Sequence, residues 1–208
     1  MLTQLIKFTV KPQHQQAVKD ALVDSKKGTR HELGNINMNI FVDNANPNVF
    51  YAYERWQDAA ALAFHQQQSY TQNLLRLLSN ALVCTPEVFN LQDTKPEPVV
   101  IKAADHEDAL FTIIFIFPIH SEFRQPLLTQ FEDHIQHSRQ EEGNLLFDLY
   151  TVQDDDNTLV VYEHWRKESD VWDIHFNQPY AKITGAIMEQ AVVGDMQQYM
   201  HFVSEINE

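Results

Sequence analysis

Along this chain, stretches whose apolar residues recur at every second position alternate with stretches where they recur at every third or fourth. Leu2–Val10 alternates apolar and polar residues, the pattern of a half-buried strand. Gln13–Glu32 gathers Val18, Ala21, Leu22 and Thr29 on one helical face. Asn35–Asp43 aligns Ile36, Met38, Ile40 and Val42 on one strand face. The turn composition of Asn44-Ala45-Asn46-Pro47 then makes Val49–Trp56 the return leg of a hairpin. A helix is predicted from about Asp58, a short second one near Tyr70, and a closing strand over Glu87–Leu91. The predicted order is β-α-β-β-α-β.

The same order is then written again. Ala109–Ile119 is apolar almost throughout and is expected to be buried on both faces. Glu122–Gln140 carries Phe123, Leu127, Leu128, Phe131 and Ile135 at helical spacing. Leu145–Val152, a turn at Asp154-Asp155-Asp156-Asn157, and Thr158–Trp165 form the second hairpin. Helices from about Glu168 and near Tyr180 follow, then a strand within Asp195–Val203. Pro12 and Pro118 sit at the exits of the first strand of each copy, and Gly34 and Gly143 stand where a left-handed helix cap is needed.

A shift of 109 residues superposes Phe8 on Phe117, Arg30 on Arg139, Glu32 on Glu141, Gly34-Asn35 on Gly143-Asn144, and Tyr53-Glu54-x-Trp56 on Tyr162-Glu163-x-Trp165. After one inserted residue, His65, Gln68 and Tyr70 fall on His175, Gln178 and Tyr180. Rare residue types coinciding at fixed spacing mark an internal duplication of domain size. The expected fold class is α+β: two tandem ferredoxin-like units, each leaving one sheet face bare of helices, packed sheet to sheet as an intramolecular dimeric α+β barrel. The expected domains are residues 1–95 and 106–208, joined by a linker at about 96–105.

Composition narrows the function. No apolar run reaches the roughly 18 residues that cross a bilayer, and the N-terminus lacks the features of a signal peptide. A single cysteine, Cys84, excludes an internal disulfide framework and is expected to be a small buried hydrophobe. These features suggest the cytoplasm. The net charge of −14 argues against nucleic acid and membrane as partners. It is uneven: residues 1–95 carry +1 and residues 96–208 carry −15. The simplest account is two units whose solvated surfaces have diverged.

Glu32-Leu33-Gly34-Asn35 and Glu141-Glu142-Gly143-Asn144, each followed by a hairpin, Glu-x-Trp and then a His about ten residues on, resemble the antibiotic biosynthesis monooxygenase domain of the dimeric α+β barrel superfamily. The resemblance covers nearly the whole chain, one domain per half. It implies oxygenation of a small aromatic or quinol without a cofactor, the deprotonated substrate supplying its own electrons to molecular oxygen. Such a site needs a base, donors for a developing oxyanion and a dry pocket, which the resemblance places between the sheet and its helices. The candidate catalytic residues are His65 and His175. The candidate substrate-binding residues are Trp56 and Trp165 as stacking surfaces and indole donors, Asn35 and Asn144, Tyr70 and Tyr180 as donors, and Glu54 and Glu163.

Each candidate has a structural alternative: a core Trp, a Glu that pairs or caps locally, a satisfied core His, an Asn that holds a turn. The haem-degrading relatives use a His about ten residues further on, where this chain has residues such as Leu75 and Gly185, so no haem is expected. His134, His137 and Glu141 share a helix face at metal-ligand spacing, but three ligands on one helix read better as a solvated face, and no metal is expected. Asp154–Asn157 lacks the Gly and the distal Glu of a calcium loop. The competing reading is a small-molecule-binding or stress-response protein, or an isomerase, on the same fold. The halves differ, Arg55 against His164, and Asn37 and Asn39 against Leu146 and Asp148, so two equivalent sites are not expected. Further homo-oligomerisation stays open.

Overall fold

The computed structural model describes residues 1–207; Glu208, the last residue of the second expected domain, lies outside the described residues. The chain divides into two compact units. One comprises Met1–Leu91 with the end of the chain from Ser204, and the other comprises Gln92–Val203.

In the first unit, β1 (Leu2–Thr9) leads through a short 3-10 turn at Pro12–His14 into α1 (Gln15–Thr29). The hairpin β2 (Asn35–Asp43) and β3 (Val49–Trp56) follows, then α2 (Ala59–Gln66), α3 (Ser69–Ala81) and β4 (Glu87–Asp93). All pairings are antiparallel, in the order β2-β3-β1-β4. On the expected apolar face of α1, Val18 and Leu22 are buried against Phe8, Met38, Ile40, Leu74 and Leu78, Ala21 packs half-buried on the same cluster, and Thr29 is buried with its hydroxyl donating to the Ser25 carbonyl. α2 starts at Asp58, whose carboxylate accepts from Ala61 N–H at 2.9 Å, a side-chain N-cap. The end of the chain is tied in by Lys26, whose Nζ donates to Glu205 at 2.7 Å and to the Ile206 carbonyl at 3.2 Å.

The second unit repeats this with β5 (Phe111–Pro118), a 3-10 turn at Ser121–Phe123, α4 (Arg124–Ser138), β6 (Asn144–Val152), β7 (Asp155–Trp165), α5 (Pro179–Ala191) and β8 (Met200–Glu205). The sheet order is β8-β5-β7-β6, antiparallel throughout. Its core joins Ile113, Phe115, Phe117, Leu127, Phe131, Ile135, Phe147, Leu149 and Trp165.

The differences from expectation are local. In place of a helix from Glu168, the chain forms a π-helical turn at Asp170–Ile174 and a 3-10 turn at His175–Asn177. The cause is the one extra residue between Trp165 and His175, because a π turn takes up one more residue than an α turn. The second hairpin turns at Gln153-Asp154, with Asp154 at φ 62°, so Asp155–Asn157 already belong to β7. Ile36 is half exposed: a β-bulge between Asn35 and Asn37 rotates it off the apolar face. The segment expected to begin the last strand forms a 3-10 turn at Met196–Tyr199 instead.

Gly34 is left-handed (φ 89°) as expected, but Gly143 is not. Gly143 is required for space, since an added Cβ would lie 2.4 Å from Asp170 Cγ. Cys84 is exposed rather than buried, because the connection after α3 turns it outward. No helix among the described residues is long and apolar enough to cross a membrane.

Candidate functional site

Strand period two puts Glu163 and Trp165 on one face of β7, and Glu54 and Trp56 on the corresponding face of β3. Both tryptophans are fully buried. Each spends its indole N–H on the glutamate two residues earlier: Trp56 Nε1 donates to Glu54 Oε2 at 3.1 Å, and Trp165 Nε1 to Glu163 Oε2 at 2.7 Å. Neither indole N–H is left for a ligand, and neither ring lines the two cavities described below. Each tryptophan instead backs a histidine, with ring centroids 4.7 Å apart in both units.

His175 is buried, and its Nδ1 lies 2.7 Å from Glu141 Oε1. The Tyr180 hydroxyl donates to the same carboxylate oxygen. A carboxylate only accepts, so Nδ1 carries the proton and Nε2 keeps a free lone pair. His65 is held alike by Glu32 Oε1 at 2.7 Å, which also accepts from the Tyr70 hydroxyl at 2.6 Å. The tyrosines therefore donate to the orienting glutamates rather than to a ligand. Burial, then hydrogen bonding to those glutamates, pushes both phenols well above their usual range. Asn35 and Asn144 donate to the Asn37 and Leu146 carbonyls at 3.4 and 3.1 Å and hold the strand bulges. Among the expected site residues, those that line cavities are His65, Glu54, His175 and Glu163.

The second unit's cavity, about 570 Å³, lies between the β5-β6-β7-β8 sheet face and helices α4 and α5. Its walls include Phe115, Phe131, Phe147, Trp172, Phe176 and Phe202, and its polar groups include Glu163, His175, His134 and Thr184. Burial is the main cause that raises the Glu163 carboxyl to about 7, against the opposing pull of His175 and the Trp165 hydrogen bond. His134 is held down at about 3, first by burial and then by His175, so it stays neutral. Its Nδ1 lies 2.9 Å from Thr184 Oγ1, which in turn donates to the Tyr180 carbonyl at 3.0 Å. The His134 ring stands edge-on to His175 at 4.9 Å.

The first unit's cavity, about 500 Å³, is lined by Phe8 and by the aliphatic Ile6, Leu22, Met38, Leu62 and Leu74, among others, with Glu54, His65, Ser25 and Thr71 among its polar groups. Burial raises the Glu54 carboxyl as it does Glu163. Here, however, Thr71 Oγ1 stands 3.3 Å from His65 Nε2, where the second unit has Ala181. Helix α4 does not assemble the metal trio: His134 is buried against Thr184, His137 lies at the surface beside Asp133, and Glu141 binds His175. Among the described residues no group of three His, Cys, Asp or Glu is placed to hold a metal.

Glu32 and Glu141, the residues that orient the two histidines, stand in the sequence as coincident positions of the repeat and as part of its glutamate-to-Gly-Asn motif, but not among the candidate site residues. His134 is buried, not on the solvated face that the helix spacing predicts.

The family model for antibiotic biosynthesis monooxygenase matches residues 1–76 and again 110–184. The chain belongs to the antibiotic biosynthesis monooxygenase family. Among curated proteins it is similar to "Putative monooxygenase YcnE" of Bacillus subtilis (strain 168), 37% identical over 51 residues. That match spans 24% of this chain and about half, 54%, of the relative. Two solved structures share the fold across nearly the whole chain. The "Putative monooxygenase" of Fusobacterium nucleatum has a TM-score of 0.85 at 15% identity, covering 99% of this chain and 92% of that one. The "putative monooxygenase" of Lactobacillus acidophilus NCFM has a TM-score of 0.77 at 15% identity, covering 98% and 93%. The fold class is that of this family, two tandem ferredoxin-like units of the dimeric α+β barrel type.

Proposed function

We propose that the chain is a cofactor-independent monooxygenase of small aromatic phenols or quinols, and that turnover takes place in the second unit. The observation that carries this reading is the aromatic cavity with His175 at its wall, oriented by Glu141 and left with a bare Nε2. No other hydrogen-bond partner meets that imidazole among the described residues.

A flat aromatic ring stacks among Phe115, Phe131, Phe147 and Trp172. Its hydroxyl gives a proton to His175 Nε2, and the Glu141 carboxylate stabilises the imidazolium that results. Deprotonation makes the ring electron-rich enough to reduce oxygen. For a phenol with an open ring carbon, one oxygen atom becomes the second carbonyl of a quinone and the other leaves as water. The substrate supplies all four electrons, and no external reductant enters. Glu163, protonated below about pH 7, is the acid beside the site that protonates reduced oxygen. The apolar wall excludes water, which strengthens these electrostatic effects.

The test is oxygen uptake with a dihydroxynaphthalene in a reaction free of added flavin and metal. The expected result is one oxygen consumed per substrate and one atom of labelled oxygen in the quinone. Uptake at the buffer rate alone would overturn the reading.

A further inference from the structure

We propose that the cavity of the first unit is a binding site, without turnover, for an aliphatic ligand that carries one neutral oxygen. Four positions of the repeat have exchanged ring for chain together: Phe115, Phe131, Phe147 and Trp172 of the second unit correspond to Ile6, Leu22, Met38 and Leu62 of the first. The cavity is not thereby filled, since about 500 Å³ remains open. At these four positions its wall offers branched and flexible chains in place of rings, Phe8 being the one phenyl ring among its described lining residues, so the gain available to a ligand is mainly burial of aliphatic surface.

The polar end has changed in the same direction. Both nitrogens of His65 are engaged, Nδ1 by Glu32 at 2.7 Å and Thr29 at 3.3 Å, and Nε2 by Thr71 at 3.3 Å. Nδ1 carries its proton toward Glu32, so the Thr71 hydroxyl donates to Nε2 and occupies the lone pair a base would use. Where the second unit has His134, the first has Ser25, whose buried Oγ has no partner. An unpaired buried hydroxyl is costly to leave unmet and suits one hydroxyl or carbonyl oxygen of a ligand. Among the described residues the lining offers no Lys or Arg, His65 is tied to Glu32, and the burial that raises the Glu54 carboxyl on the same wall disfavours an anionic head as well. A long-chain alcohol or ketone fits these conditions and a fatty acid does not.

Equilibrium binding to the full chain tests this without oxygen or turnover, so it stands or falls separately from the reading of the second unit. Decanol and decanoate are titrated calorimetrically into the native protein and into Leu22→Trp, which fills the first cavity, Ala181→Trp, which fills the second, and Ser25→Ala. Saturable decanol binding is expected in the native protein and in Ala181→Trp. It should be lost in Leu22→Trp and weakened about fivefold in Ser25→Ala, the effect of one neutral hydrogen bond. Decanoate should bind at least about tenfold more weakly than decanol. Should Leu22→Trp fail to fold, Ser25→Ala and Ala181→Trp decide. No saturable decanol binding, binding unchanged in Ser25→Ala, loss in Ala181→Trp, or decanoate binding equal to decanol would each overturn the proposal.

Discussion

The two units set the same glutamate, histidine and tyrosine beside a cavity, with the histidine backed by a tryptophan and that tryptophan tied to a second glutamate. They part at the cavity itself. In the second unit Ala181 leaves His175 Nε2 bare, rings line the wall, and His134 adds a neutral imidazole. In the first, Thr71 caps His65, aliphatic chains stand at the four positions where the second unit has rings, and Ser25 replaces that imidazole. Duplication has kept what holds the histidine and changed what the histidine meets. The support shell belongs to the fold, whereas function is decided by the few residues facing the cavity.

The comparison is broken most severely by removing the orienting carboxylate of one unit at a time. Glu141→Ala is expected to lower kcat on the order of 10²-fold, because His175 loses both its fixed tautomer and the stabiliser of its cation. Glu32→Ala should change kcat less than about twofold. Steady-state oxygen uptake separates the two.

Exchanging the caps tests the same difference more gently. Ala181→Thr should place a hydroxyl against His175 Nε2 and lower the rate about tenfold, with KM little changed. Thr71→Ala should leave the rate as it is, since at Ile6, Leu22, Met38 and Leu62 the first unit still has chains where the second has rings. A gain of turnover in Thr71→Ala would show that the cap alone had silenced that unit.

Glu163 gives a pH signature. Its carboxyl is raised from 4.5 to about 7. As an acid it is lost above that pH, so kcat should fall through about pH 7, and Glu163→Gln should remove this alkaline fall. Because the folded pKa lies above the unfolded one, the native state holds an extra proton between about pH 4.5 and 7. The associated stability is fully present below pH 4.5 and is lost as pH rises through 7. Glu163→Gln should abolish that decline, amounting to about 3 kcal/mol, in melting curves at pH 5 and pH 8.

The smallest effects concern glycines. Gly143→Ala should destabilise by roughly 2 kcal/mol, since the new Cβ meets Asp170 at 2.4 Å. Gly185→Ala, with nothing within 4 Å in helix α5, should stabilise by about 0.5–1 kcal/mol.

Much of this fold could be read from spacing alone. β2 and β3 have the expected bounds: β2 shows itself in Ile36, Met38, Ile40 and Val42 at every second position, and β3, buried at every residue, in the turn composition that precedes it. The second hairpin was harder: a run of Asp and Asn has turn composition, yet Asp155–Asn157 pair as strand once Asp154 takes the positive φ. At the site, His65, His175, Glu54 and Glu163 could be found because they recur. Trp56, Trp165, Asn35, Asn144, Tyr70 and Tyr180 recur for another reason, to hold those four and the bulges beside them. The residues that distinguish the units, Ser25 against His134 and Thr71 against Ala181, are not legible in the sequence, because the repeat shows itself in identities and these positions are substitutions.

The most direct measurement is oxygen uptake by His175→Ala and His65→Ala, made separately and compared at saturating phenol or quinol. The account predicts a loss of at least about 10²-fold in His175→Ala and a rate within about twofold of the parent in His65→Ala. Equal losses in the two variants, or a loss confined to His65→Ala, would contradict it.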